Sequence, residues 1–240
     1  MFSTYVSPSI VKELMQSPSK IAVGGQRREL TMMFVDLVGF TAFSEQRPAE
    51  AVVEQLNEYL AAMTDVIFRW NGTLDKFVGD AIVVFWGAPA DQPNHAWLAL
   101  QCAVEMRTAL HTLHARWSKE GKPLLDNGIG INTGVALVGN IGAEGKKVDY
   151  TMIGDHVNLA SRLQELTRTL KVPILLSEFT AAKLTRMPQR WSEDGTGLHA
   201  GPPALTRLRV LTVKGRQEPV AVYTLATEGT KMAADTAAAG

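Results

Sequence analysis

Thr31-Met32-Met33-Phe34-Val35-Asp36-Leu37-Val38-Gly39-Phe40-Thr41 is an apolar, β-prone run interrupted once by a carboxylate and broken by a glycine. Apart from Asp36 it is apolar on both faces, so the strand it encodes, about 30 to 38, belongs in the middle of a sheet. A second run, Lys76-Phe77-Val78-Gly79-Asp80-Ala81-Ile82-Val83-Val84-Phe85, repeats the design with Asp80 beside Gly79. Strands at 73 to 77 and 81 to 86 lie so close that Val78-Gly79-Asp80 must be a hairpin turn, which puts Asp80 at a strand end.

Between the two runs, Pro48 and Glu50 open a helix whose Val52, Leu56, Tyr59, Leu60, Met63, Val66, Ile67 and Trp70 recur every three or four residues, closed by Asn71-Gly72. After the Pro89 to Pro93 loop, Asn94 is the expected cap of a second helix, with Ala99, Ala103, Met106, Leu110 and Trp117 on its apolar stripe. Residues 126 to 141 alternate in strand fashion through Gly134 and Gly139, which predicts a hairpin or a bent strand pair. A Gly/Lys arm, 142 to 147, leads to a strand at 148 to 152. Gly154-Asp155 then opens a third helix with Leu159, Leu163, Leu166 and Leu170 on its buried stripe. A strand at 173 to 176, a short helix at 178 to 184, a polar loop at 188 to 203 and a final strand pair, 205 to 213 and 219 to 225, complete the chain. The order strand, helix, two strands, helix, strand predicts an α+β fold, a ferredoxin-like sheet with helices packed on one face and extra C-terminal strands. Residues 1–25 read as an N-terminal helical linker segment, with Gly24-Gly25 as the joint; 26–227 read as one domain and 228–240 as a disordered, Ala-rich tail.

At 240 residues, with 24 basic and 24 acidic side chains, the chain has no net charge that would favour nucleic acid or an acidic membrane, so any phosphate site must be local. The single cysteine, Cys102, excludes an internal disulfide framework and suits a cytoplasmic setting. No apolar run reaches the ~18 residues of a membrane span, although an upstream sensor or membrane segment is compatible with the N-terminal piece.

Two carboxylates at neighbouring strand ends form a hard-oxygen site suited to Mg²⁺ or Mn²⁺. A lone aspartate is more often a turn or cap residue, but both of these stand in apolar strands, where an unpaired charge is costly. Gly142 to Lys147 lacks the first glycine and the Ser/Thr of a P-loop, and Gly128-Ile129-Gly130 lacks the third glycine of a dinucleotide loop. Phosphate must therefore be held by other groups, with Lys146, Lys147 and Lys214 as candidates against the plainer reading of solvated charges. Asn158 and Arg162, four apart, project from one flank of the third helix and could face developing phosphoryl charge. His111 and His114, with no third ligand near in sequence, read as structural.

With those residues in hand, the chain resembles a class III nucleotide cyclase catalytic domain over about residues 28 to 226. The resemblance is carried by Phe34-Val35-Asp36-Leu37-Val38-Gly39-Phe40-Thr41, by Asp75-Lys76-Phe77-Val78-Gly79-Asp80 and by Tyr150-Thr151-Met152-Ile153-Gly154-Asp155-His156-Val157-Asn158-Leu159-Ala160-Ser161-Arg162. It implies that Asp36 and Asp80, with the Leu37 carbonyl, bind two divalent ions per site, and that Lys76 and Thr151 read the purine. Asn158 and Arg162 fall where the family stabilises the transition state, and Lys214 where it holds the triphosphate. Lys76 favours ATP, whereas a guanylyl cyclase typically has Glu there. Thr151 resembles the bacterial adenylyl cyclase subgroup often associated with bicarbonate stimulation. The family builds each site from both chains of a head-to-tail dimer, so a homodimer with two composite sites is expected. A guanylyl cyclase and a non-catalytic regulatory cyclase-like domain are the alternatives. A diguanylate cyclase is disfavoured because Val78-Gly79-Asp80-Ala81 does not match that family's turn.

Overall fold

The computed structural model describes residues 24–143, 146–185, 204–211 and 219–226. The expected joint at Gly24-Gly25 is part of the first strand, β1 (Gly24–Val38), where the two glycines pair with Asn140 and Gly139. A short helix absent from the sequence reading, α1 (Phe40–Glu45), follows Gly39, and then α2 (Ala49–Arg69) crosses to β2 (Thr73–Val78) and β3 (Ala81–Trp86). The helix α3 (His95–Lys119) leads into β4 (Asp126–Ala143), and β5 (Lys147–Ile153) turns back along its end. The chain continues through α4 (Asp155–Leu170), β6 (Ile174–Ser177), α5 (Glu178–Thr185), β7 (Leu205–Leu211) and β8 (Val220–Leu225).

The strands form one sheet in the order β2-β3-β1-β4-β6-β8-β7, with β5 added to β4. Antiparallel pairing of β1 with both β3 and β4 is the ferredoxin-like arrangement, and β1 is central as its two-sided apolarity requires. Residues 126 to 141 do not form a hairpin: β4 is one continuous strand, and β1 pairs along it from Val38↔Asp126 to Gly24↔Asn140.

One face of the sheet presents Met33, Val35 and Leu37 with Ile129 and Ile131, buried against Tyr59, Met63 and Ile67 of α2 and Met106, Leu110 and Trp117 of α3. Each large side chain removed from water here contributes on the order of 1.5–3 kcal/mol. The helix α2 ends as its Asn71-Gly72 signal requires, although Asn71, at φ 53, takes the left-handed position and Gly72 donates to the Ile67 carbonyl at 2.9 Å. Asn94 occupies the N-cap of α3 without a side-chain capping bond.

The two helices of the ferredoxin-like core, α2 and α3, share one face, and α4, which follows that core, packs on the other. Its Val157 and Ala160 lie with Leu30, Met32, Val83 and Phe85, which alternate with the residues buried beneath α2 and α3 and so face the other way. A Cβ at Gly130 would stand 2.2 Å from the Gln164 backbone nitrogen and 2.4 Å from the Ala160 carbonyl. The helix thus rests directly on the β4 backbone. The pair Gly128 and Gly130, which fails as a dinucleotide loop, is the seat of a helix.

Candidate active site

Asp36 and Asp80 are brought together by strand register. β3 pairs with β1 as far as Val35↔Ile82, and the hairpin closes at Val78↔Ala81, leaving Gly79 and Asp80 as a two-residue turn beside Asp36. Gly79 has φ 63, which the turn needs and a side chain would resist. The Leu37 N–H donates to Asp80 Oδ2 at 3.2 Å. Burial and then the neighbouring Asp80 carboxylate push the Asp36 carboxyl up to about 6. Asp36 lies opposite Gly128 on β4, so its side chain is on the α4 face of the sheet.

That face supplies a residue the sequence reading missed. Arg168, in the last turn of α4, donates from Nη2 to Asp36 Oδ2 at 2.7 Å and to the Leu37 carbonyl at 2.9 Å. The guanidinium therefore holds two of the three oxygen donors expected to bind metal. Among the described residues no three His, Cys, Asp or Glu side chains gather in one place. Two carboxylates and a carbonyl, all hard oxygens around a point that already draws a cation, fit Mg²⁺ or Mn²⁺ with the remaining positions left for other oxygens.

Asn158 is exposed and Arg162 partly buried on α4. Four residues apart, they stand within about 40° of each other on the helix, whereas Arg168 is turned by about 80° from Asn158 and about 120° from Arg162. The helix thus offers Arg168 to Asp36 of its own chain, with Asn158 and Arg162 on a different part of its circumference.

Thr151 and Lys76 are also brought together. The register of β2 against β3 slips between Leu74 and Lys76, a bulge that disturbs the alternation of side chains. Asp75, the extra residue, has a side chain only 3% exposed, and Lys76 Nζ lies 3.5 Å from its Oδ1. The Thr151 hydroxyl donates to Asp75 Oδ2 at 2.7 Å. Burial pushes the Asp75 carboxyl upward, opposed by the Thr151 bond and by Lys76. Of the phosphate candidates, Lys147 pairs with Asp149 at 3.3 Å and Lys146 is exposed; Lys214 lies outside the described residues. His114 bonds the Leu125 carbonyl at 2.7 Å, an anchoring contact between α3 and the approach to β4.

The model of the adenylate and guanylate cyclase catalytic domain matches residues 24–210. Adenylate cyclase 1 of Rhizobium meliloti is 33% identical over 186 residues, which are 78% of this chain and 28% of that protein. The chain likewise spans only 34% and 39% of two further curated relatives. The adenylyl cyclase CyaB from P. aeruginosa superposes with a TM-score of 0.72 at 35% identity, covering 86% of this chain and 97% of that one. The guanylyl cyclase Cya2 does so with a TM-score of 0.70 at 35% identity, covering 85% and 94%.

Proposed function

The chain belongs to the adenylate and guanylate cyclase catalytic domain family, and on that premise we propose that it is an adenylyl cyclase, converting ATP to 3′,5′-cyclic AMP and pyrophosphate. The observation that carries this reading is the convergence of Asp36, the Leu37 carbonyl and Asp80, the first two already bonded by the Arg168 guanidinium. When bound there, two Mg²⁺ or Mn²⁺ ions would acidify the ribose 3′-hydroxyl and neutralise triphosphate charge. Asp36, Asp80 and the Leu37 carbonyl would hold those ions. The 3′-oxygen gives up its proton to water and forms the new bond to phosphorus as the bond to the pyrophosphate oxygen breaks. Arg162 meets the charge that develops on the phosphoryl oxygens, Asn158 orients the ribose, and Lys214, with Lys146 and Lys147, offers positive charge to the triphosphate.

A composite homodimer is supported by the α4 geometry, since Asn158 and Arg162 leave the helix on a different flank from Arg168, the residue that meets the same chain's Asp36. Likeness to solved structures does not choose the base, because an adenylyl and a guanylyl cyclase resemble the chain equally at 35% identity. Lys76 and Thr151, both held against Asp75, support ATP. The test is product formation from ATP and GTP at equal concentration, with Mg²⁺ or Mn²⁺, across a range of protein concentration. Cyclic AMP formed with a specific activity that rises with protein concentration is expected; preference for GTP, or no turnover of either nucleotide, would overturn the proposal.

A further inference from the structure

We infer that Asp75 is the positioning residue that sets base selectivity, by fixing the Thr151 hydroxyl so that only its lone pairs face the purine. The inference rests on the reading of Lys76 and Thr151 as the residues that meet the base, and adds what makes their pairing one-directional.

A hydroxyl alone is a poor discriminator, because it rotates and can either donate or accept. A carboxylate removes that freedom, since an ionised oxygen accepts and never donates. Thr151 Oγ1 donates its single proton to Asp75 Oδ2 at 2.7 Å, so a ligand meets only an acceptor there. The same carboxylate works on the other reader. Lys76 Nζ lies 3.5 Å from Asp75 Oδ1, and Oδ1 is buried with no hydrogen-bond partner. That orphaned oxygen leaves room for the ammonium to settle closer when a base arrives.

The pair so fixed, one donor and one acceptor, complements adenine, which presents an acceptor at N1 and an amino donor at C6. Guanine presents the reverse, N1–H as donor and the 6-oxo group as acceptor. It would set two acceptors against each other at Thr151 and two donors at Lys76. The bulge in β2 makes this arrangement possible, because in a regular strand Asp75 and Lys76 would point to opposite faces. The site thus combines attraction for one base with repulsion of the other.

The test uses the full chain with Mn²⁺ and three nucleotides, ATP, GTP and inosine triphosphate, reading both turnover and equilibrium displacement of a fluorescent ATP analogue. Inosine carries the guanine pattern at N1 and C6 without the 2-amino group, so wild-type protein should reject it about as strongly as GTP. In Asp75→Asn the amide can donate or accept, which frees the Thr151 proton. The ATP-over-GTP ratio should then fall by about tenfold, the effect of one opposed polar pair, and inosine triphosphate should recover in parallel while ATP binding changes less.

Acceptance of inosine triphosphate by the wild type as readily as ATP would overturn the inference, whether or not the variant folds. So would a folded Asp75→Asn protein that loses affinity for all three nucleotides equally, since a purely structural role predicts that. If wild-type protein turns over none of the three, it is the adenylyl cyclase reading that falls; if ATP is used and selectivity survives in Asp75→Asn, only the role of Asp75 falls.

Discussion

Replacing Arg168 with Gln tests whether the guanidinium stands in for metal. Its Nη2 contacts Asp36 Oδ2 at 2.7 Å and the Leu37 carbonyl at 2.9 Å, making it the cation that offsets two neighbouring carboxylates when no ion is bound. A hydrogen bond to a charged group contributes about 1.5–3 kcal/mol when shielded. Here 47% of the Arg168 side chain and 24% of the Asp36 side chain are exposed, and solvent screening reduces the pair to about 1 kcal/mol. In EDTA the variant should therefore melt about 2–4 °C below wild type. With saturating Mn²⁺ the difference should close, because the ion supplies the missing charge. Linkage requires the same free energy to reappear as Mn²⁺ binding about fivefold tighter in the variant, since no guanidinium has to be displaced. Thermal melts with and without Mn²⁺, and calorimetric Mn²⁺ titration without nucleotide, read both halves of the cycle. A melting deficit that persists in Mn²⁺, or Mn²⁺ binding weaker than wild type, would refute the reasoning.

Mixing inactive Asp36→Ala and Arg162→Ala chains should restore activity to about a quarter of wild type, one intact site in half of the dimers after random exchange; a dead mixture despite demonstrated exchange excludes shared sites. Gly130→Ala should cost about 3 kcal/mol in urea unfolding, because the new Cβ would meet backbone atoms of α4 at 2.2 and 2.4 Å. Gly24→Ala, whose Cβ would meet nothing within 4 Å, is the matched control and should be near neutral. Glu58, on α2, accepts bonds from Lys122, Trp117 and Arg116, which hold its carboxyl down at about 2 against an ordinary 4.5. Its stabilisation is complete above pH 4.5 and lost as pH falls through about 2. The stability gap between wild type and Glu58→Gln should therefore narrow over that window, and a gap that is constant with pH would contradict it.

The central strand and the hairpin were legible because their signals are local: a carboxylate in an apolar run, and a glycine at a turn two residues long. The glycines of β4 misled for a definite reason. Gly134 and Gly139 look like turn residues, but a Cβ at Gly134 would meet the His156 ring at 2.2 Å and one at Gly139 the Gly24 carbonyl at 2.2 Å. They permit close approach within an unbroken strand, a use that a sequence window cannot distinguish from a turn. The face chosen by α4 was illegible for a related reason, since periodicity defines a buried stripe without saying which side of the sheet receives it.

Arg168 and Asp75 escaped notice for a deeper reason, which bears on how the site works. Each acquires its meaning from a residue remote in sequence, Arg168 from Asp36 across 132 positions and Thr151 from Asp75 across 76. A carboxylate in an apolar setting announces that a compensating group must exist, but only the fold names it. Once named, Arg168 changes the status of α4. The helix carries Arg168 on one flank, against the carboxylates of its own chain, and Asn158 and Arg162 on another. In the proposed homodimer one rigid helix would then serve two sites, offering charge to the metal pair of its own chain and completing the site of the other. Because α4 rests on the β4 backbone at Gly130 with no side chain between, a shift of the helix would disturb both sites together. The coupling of the two half-sites would run through that contact.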